Sequence, residues 1–223
     1  MSHTQTKHAQ QTPKTIGLFG GTFDPIHLGH IVPVIDLAAQ INLDKVFLLP
    51  ANIPPHKSAA SASSQHRKAM VELVCTKYPL FTLDDRELKR NKASYTIDSL
   101  KEIKQQFPNA ILYFFIGTDS FFDLPSWHQI DEIMKLCHFV VTTRPGYTVK
   151  LEGKPWFSNK VTTNRQEFLA SQFGKIFLAE TAQIDISSTT IRALLNKEDK
   201  LVEPLTDVLC PEVLAYIKDN DLY

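Results

Sequence analysis

The chain has 223 residues, 43% of them hydrophobic, enough to bury the core of one α/β domain. Lysine plus arginine and aspartate plus glutamate both number 24, so the basic bias of a nucleic-acid binder is missing, and no apolar run approaches the roughly 20 residues that span a bilayer. Three scattered cysteines (Cys75, Cys137, Cys210) without a CxxC pair fit a reduced, cytoplasmic chain and speak against a cysteine-built zinc site. Residues 1–13 are polar and lack the apolar core of a signal peptide. A disordered tail is expected there, with one folded domain over 14–223.

Residues 14–20 are apolar without helical period and read as a buried strand. The chain continues GGTFDPIHLGH over 20–30. Gly20 and Gly21 are expected to break the strand. Pro25 turns the chain, because proline fixes its own φ and bars its predecessor from the helical region. Ile31, Val34, Ile35, Ala38 and Ile41 then recur at helical spacing, placing a helix over 28–41 with Pro33 early in it. Strand, glycine loop and helix start leave bare amides and a positive helix end facing one place, which suits phosphate. His27 and His30, three apart, share a face of the first turn, and Gly29 between them leaves room for a ligand near the backbone. Imidazoles beside phosphate are biased towards the protonated form. A zinc ion on the pair would need a third ligand, for which Asp24 is the only neighbour.

Residues 45–50 (KVFLLP) form a second strand. The polar loop at 51–62 follows, where two prolines stiffen the backbone that presents His56 and Lys57. A helix over 63–77 turns Ala69, Met70, Leu73 and Val74 inward, and 81–83 is a short strand. The charge run DDRELKRNK at 84–92 reads as a solvated face. Ser94 or Thr96 caps a helix over 96–107, and the spare amides of that turn also suit a carboxylate.

Residues 111–116 (ILYFFI) have the continuous apolar character of a central parallel strand, ending in Gly117-Thr118-Asp119. Asp119 can accept from ribose hydroxyls beyond the strand's carboxyl end, or cap a helix. LPSWH at 124–128 opens a helix to about 136, and the indole of Trp127 can stack on a heteroaromatic ring. HFVVT at 138–142 and KIFLA at 175–179 are further strands. Residues 147–174 read as a weakly packed insertion with one helix near 164–173 and Trp156 as a packing residue. In ISSTTIR at 186–192 hydroxyl residues start a helix, and Arg192, one turn in, points back at whatever the helix amides hold. Helix-start amides, hydroxyls and a guanidinium make a polyphosphate clamp. A last helix spans 211–219.

Four or five apolar strands alternating with amphipathic segments specify an α/β class, a Rossmann-like doubly wound parallel sheet in a single domain. Neither GxxxxGK[ST] nor GxGxxG occurs, and no serine or cysteine nucleophile with a paired base is apparent. The inventory fits transfer between two anions without a covalent intermediate.

The frame GGTFDPIHLGH, followed in order by PPHK, SYT, GTD, LPSW and ISSTTIR, resembles the HxGH nucleotidyltransferases, and more narrowly the bacterial nicotinate-nucleotide adenylyltransferases. The resemblance runs from about residue 15 to the end and implies a nucleotidyltransferase domain over 14–223. It implies transfer of the adenylyl group of ATP to nicotinate mononucleotide, giving nicotinate adenine dinucleotide and pyrophosphate, with Mg²⁺ bridging the triphosphate and no protein-held metal. Its implied catalytic set is His27, His30, Lys57 and Arg192. Gly20, Gly21, Thr22, Phe23, Gly117, Asp119, Ser187, Ser188, Thr189 and Arg192 would hold ATP. Thr22, Lys57, Tyr95, Thr96, Trp127 and His128 would hold nicotinate mononucleotide, and His128 stands where relatives often carry tyrosine. Neither nucleic acid nor membrane is an expected partner, and monomer and homo-oligomer stay equally open. Rival readings are an HxGH enzyme with another acceptor, pantetheine phosphate or nicotinamide mononucleotide, and a nucleotide-binding module without catalysis.

Overall fold

The computed structural model describes residues 14–52, 60–90, 93–146, 148–182, 184–196 and 203–223. The tail expected at 1–13 and the His56–Lys57 loop lie outside the described residues. The strands are β1 (Thr15–Gly21), β2 (Lys45–Pro50), β3 (Phe81–Leu83), β4 (Ile111–Gly117), β5 (His138–Thr143), β6 (Val161–Thr162) and β7 (Ile176–Glu180). The helices are α1 (Leu28–Gln40), α2 (Ser64–Lys77), α3 (Thr96–Gln106), α4 (Thr118–Asp123), α5 (Ile130–Met134), α6 (Arg165–Leu169), α7 (Ser188–Leu195), α8 (Glu203–Thr206) and α9 (Pro211–Asp219).

All strand pairs are parallel, in the order β3-β2-β1-β4-β5-β7-β6. Alternate residues enter opposite cores. Val46 and Leu48 of β2 and Phe115 of β4 pack under α1, α2, α7 and α9. Phe47 and Leu49 of β2 and Phe114 of β4 pack under α3 and α5. Both faces being covered, the strands are apolar almost throughout, which is why they are readable as continuous runs. Strand order reverses between β1 and β4, and a crevice at the carboxyl ends of those two strands is where open α/β sheets bind ligands.

Several expectations are corrected. The sheet has seven strands among the described residues, because the 147–174 stretch is not a weakly packed insertion. It supplies the edge strand β6, and it buries Phe157 and Phe168 completely or nearly so. Trp156 packs edge-on against Phe157, as a packing residue should. The described part of the charge run, 84–90, is not simply solvated. The Arg86 and Arg90 side chains are 13% and 11% exposed, both paired to Glu102. Pro33 is the sixth residue of α1, past its first turn, so the helix ladder loses one amide there. Trp127 does not open a helix: it is extended, between a 3₁₀ turn at Leu124–Ser126 and α5.

Candidate active site

Beyond the carboxyl ends of β1 and β4 lies a cavity of about 850 Å³. Its walls include Gly20, Gly21, Thr22, Phe23, His30, Thr96, Gly117, Asp119, Trp127, Ser188, Thr189 and Arg192. The starts of α1, α3, α4 and α7 therefore converge on one space. The first amides of a helix have no intrahelical partner, so this space suits anions.

Gly20 and Gly21 do not break β1, which runs to Gly21. The sharp turn falls at Phe23, whose φ of 51° is left-handed although it carries a side chain. Phe23 is buried, with its ring edge-on to Phe19 and to His30. Gly21 is needed for that packing, since a Cβ there would stand 2.8 Å from the Phe23 ring.

His27 is the N-cap of α1 and His30 lies one turn in. Their rings stack with centroids 3.7 Å apart. The space beside Gly29 is filled by His27 rather than open to a ligand: a Cβ would meet His27 Nδ1 at 2.9 Å and Ile186 at 3.0 Å. The His27 amide donates to His30 Nδ1 at 3.3 Å, so a neutral His30 carries its proton on Nε2. His27 is 4% exposed, burial pushes it down to about 4, and among the described residues its Nδ1 makes no hydrogen bond of ordinary geometry. Without an opposite charge beside it, burial thus favours the neutral form of His27. Nor are all the amides of the α1 start bare: Leu28 N–H donates to Val208 O at 2.8 Å.

The zinc alternative finds no support in this geometry. The two rings stack instead of converging, and the Asp24 carboxylate accepts from the amides of Ser61 and Ala62. Among the described residues no three His, Cys, Asp or Glu side chains gather around one point.

Across the cavity, Ser187 caps α7, its Oγ accepting from the Thr190 amide at 3.1 Å. Ser188 Oγ donates to Pro25 O, and Arg192 Nη1 to Asp24 O at 2.7 Å. Arg192 Nη2 reaches Thr189 Oγ1 at 3.3 Å. The helix is thereby stitched to the turn that precedes the histidines. On the third side the N-cap of α3 is Tyr95, without a side-chain cap bond, rather than Ser94 or Thr96. The N-cap of α4 is Gly117, and Asp119 sits exposed in its first turn. Trp127 packs edge-on against Phe114 and Phe139 while lining the cavity.

Residues 18–194 match the cytidylyltransferase-like family. Over 210 residues the chain is 45% identical to a probable nicotinate-nucleotide adenylyltransferase of Citrobacter koseri, spanning 92% of this chain and 97% of that one. A probable nicotinate-nucleotide adenylyltransferase of Psychromonas ingrahamii is 41% identical, over 94% and 97%. The chain belongs to the nicotinate-nucleotide adenylyltransferase family. The fold is shared with Plasmodium falciparum nicotinic acid mononucleotide adenylyltransferase complexed with NaAD, at TM-score 0.69, 22% identity and coverage of 94% and 97%. It is also shared with a putative nicotinate-nucleotide adenylyltransferase of Vibrio parahaemolyticus, at TM-score 0.62, 20% identity and coverage of 92% and 99%.

Four residues expected at the site of this family member do not line the cavity. His27 lies beneath His30, and the Ser187 side chain is committed to capping. Tyr95 and His128 face each other at 4.6 Å, both exposed. Lys57 lies outside the described residues. Glu87, in contrast, lines the cavity although its charge run reads as surface. Its carboxylate accepts from Ser99 at 2.7 Å, and burial raises it above the ordinary carboxylate range. Asp24 also lines the cavity, and only its place in the FDP turn hinted at that.

Proposed function

We propose that the cavity transfers the adenylyl group of ATP to nicotinate mononucleotide. The observation that carries this reading is the meeting of His30, Arg192 and the starts of α1 and α7 around one cavity at the β1/β4 switch point. The names of the relatives set the acceptor. Its phosphate oxygen attacks the α-phosphorus of ATP; the new P–O bond forms as the bond to the β-phosphate bridging oxygen breaks, and pyrophosphate leaves. The nucleophile is already an anion, so alignment and charge neutralisation carry the catalysis.

In this reading His30 donates from Nε2 to the triphosphate. His27, neutral when the site is empty, gains its proton as phosphate approaches and replaces lost water with an opposite charge. Arg192 and the α7 amides hold β- and γ-phosphates, Lys57 holds phosphate from the 51–62 loop, and Asp119 takes the adenosine ribose. Thr96 and Trp127 form the nicotinate pocket, the α3 amides facing its carboxylate and the indole its ring. Mg²⁺ enters on the triphosphate. Of the three carboxylates lining the cavity, Asp24 is committed to amides and Glu87 to Ser99, and Asp119 alone cannot cage an ion, which favours a nucleotide-borne one.

Pyrophosphate release with Mg-ATP, comparing nicotinate with nicotinamide mononucleotide, tests the assignment. Preference for the acid is the expected result. Preference for the amide would keep the chemistry and overturn the carboxylate pocket. Mg-ATP binding without release on either acceptor or on pantetheine phosphate would leave a binding module.

A further inference from the structure

Asp24 is a buried carboxylate, 5% exposed, on which segments remote in sequence meet. Oδ2 accepts from the Ser61 amide at 2.7 Å. Oδ1 accepts from the Ala62 amide at 3.0 Å and from the Tyr223 hydroxyl at 2.7 Å. Arg192 Nη1, held on the backbone carbonyl of Asp24, stands 3.7 Å from Oδ2. A second guanidinium, Arg67, is 2% exposed, with Nη1 already donating to the carbonyls of Thr22 and Ala51.

A buried carboxylate that loses a donor is left partly unsatisfied and turns to the nearest replacement. Arg67 Nη1 is held by two carbonyls, and among the described residues Arg192 is the guanidinium within 4 Å of the carboxylate, so the replacement is Arg192. Its guanidinium is the group a triphosphate needs. From this arrangement we propose that Tyr223 is a positioning residue: its hydroxyl keeps the Asp24 carboxylate turned to the amides of 61–62 and at ion-pair distance from Arg192, short of a direct hydrogen bond, leaving Arg192 available to ATP phosphates. The inference rests on the adenylyltransferase reading, which gives Arg192 that ligand. Burial and the Asp24 bond hold the Tyr223 hydroxyl above the ordinary phenol range, so it remains a donor at neutral pH.

Tyr223→Phe removes the hydroxyl and keeps the ring. Calorimetric Kd for Mg-ATP and KM for ATP are expected to rise about tenfold, with KM for nicotinate mononucleotide within about twofold of the parent. The loss should vanish in an Arg192→Ala background, since both substitutions act through one guanidinium. A Tyr223→Gln and Tyr223→Met pair repeats the comparison, with and without a donor, should Tyr223→Phe fail to fold; Met is expected to bind ATP about tenfold more weakly than Gln. Unchanged ATP affinity in Tyr223→Phe, equal affinity in the Gln and Met variants, or an undiminished loss in the Arg192→Ala background would overturn the proposal. A parent that binds Mg-ATP but releases no pyrophosphate with nicotinate mononucleotide would overturn the assigned reaction instead, while the ATP Kd still reads the effect of Tyr223.

Discussion

Two buried histidines, one at the β1–α1 junction and one in β5, show how alike desolvation can make groups with different work. Burial pushes both His27 and His138 down to about 4. His138 is fully engaged: Nε2 meets Ser171 O at 3.2 Å, Nδ1 accepts from the Lys175 amide, and the ring stacks on Tyr113. It ties β5 to the segment before β7 and is part of the core. His27 has an Nδ1 without a hydrogen bond among the described residues and a stacked neighbour that lines the cavity. A buried polar atom without a partner lowers stability, and such an atom calls for an explanation that a bonded one does not. Bonding, more than burial or pKa, separates the two histidines.

Acid should affect both regions alike. Each imidazole has a folded pKa near 4 and an unfolded one near 6.5, so between these values the unfolded chain binds more protons and stability falls as pH falls. The contribution is complete above about pH 6.5 and lost below about pH 4; by pH 5 roughly 2 kcal/mol of it is gone for each histidine. Urea titrations at pH 7.5 and 5 would check this. A flat profile would mean that neither ring is neutral for the reason given.

Activity should part them. His30→Ala and His27→Ala each raise the barrier by about 3 kcal/mol, a hundredfold or more in kcat, at pH 7.5. Near-normal turnover by either folded variant would remove that histidine from the chemistry. His138→Phe is expected to hold kcat within about twofold, while leaving the Lys175 amide and the Ser171 carbonyl unpaired for a stability loss of about 2 kcal/mol. A large fall in its kcat would collapse the distinction.

The smallest effect expected is at Gly29. Alanine there improves helix propensity by up to about 1 kcal/mol but displaces His27 by its Cβ contact, so melting temperature should barely move while kcat falls roughly tenfold. Parallel thermal melts and pyrophosphate assays would show it. Unchanged kcat would mean that the stacked His27–His30 arrangement is not the productive one.

The strands are readable because each is buried on both faces and bounded by proline, glycine or charge. β2, β3 and β4 fall where periodicity puts them, to within a residue. The short elements α4 and β6 carry no such period. Thr118–Asp123 is one turn and a half of polar and aromatic residues, and Val161–Thr162 is a strand only because β7 lies beside it. Glu87 is illegible for a related reason: within DDRELKRNK nothing distinguishes it, and its burial comes from Ser99 and the cavity wall, not from its neighbours in sequence.

By itself, then, the sequence determined what is local: apolar strands, amphipathic helices, a strand–glycine loop–helix with its histidine pair, and the hydroxyl–arginine helix start. Tertiary structure decided what is not. It placed Tyr223 on Asp24 across 199 positions and Arg192 on the same turn across 168. It also filled the space beside Gly29 with His27, satisfied the Leu28 amide with Val208, and turned Tyr95 and His128 towards each other. Periodicity and turn chemistry act within a few residues. Desolvation and partner choice depend on which segments the sheet order brings together, and no single stretch of chain carries that information.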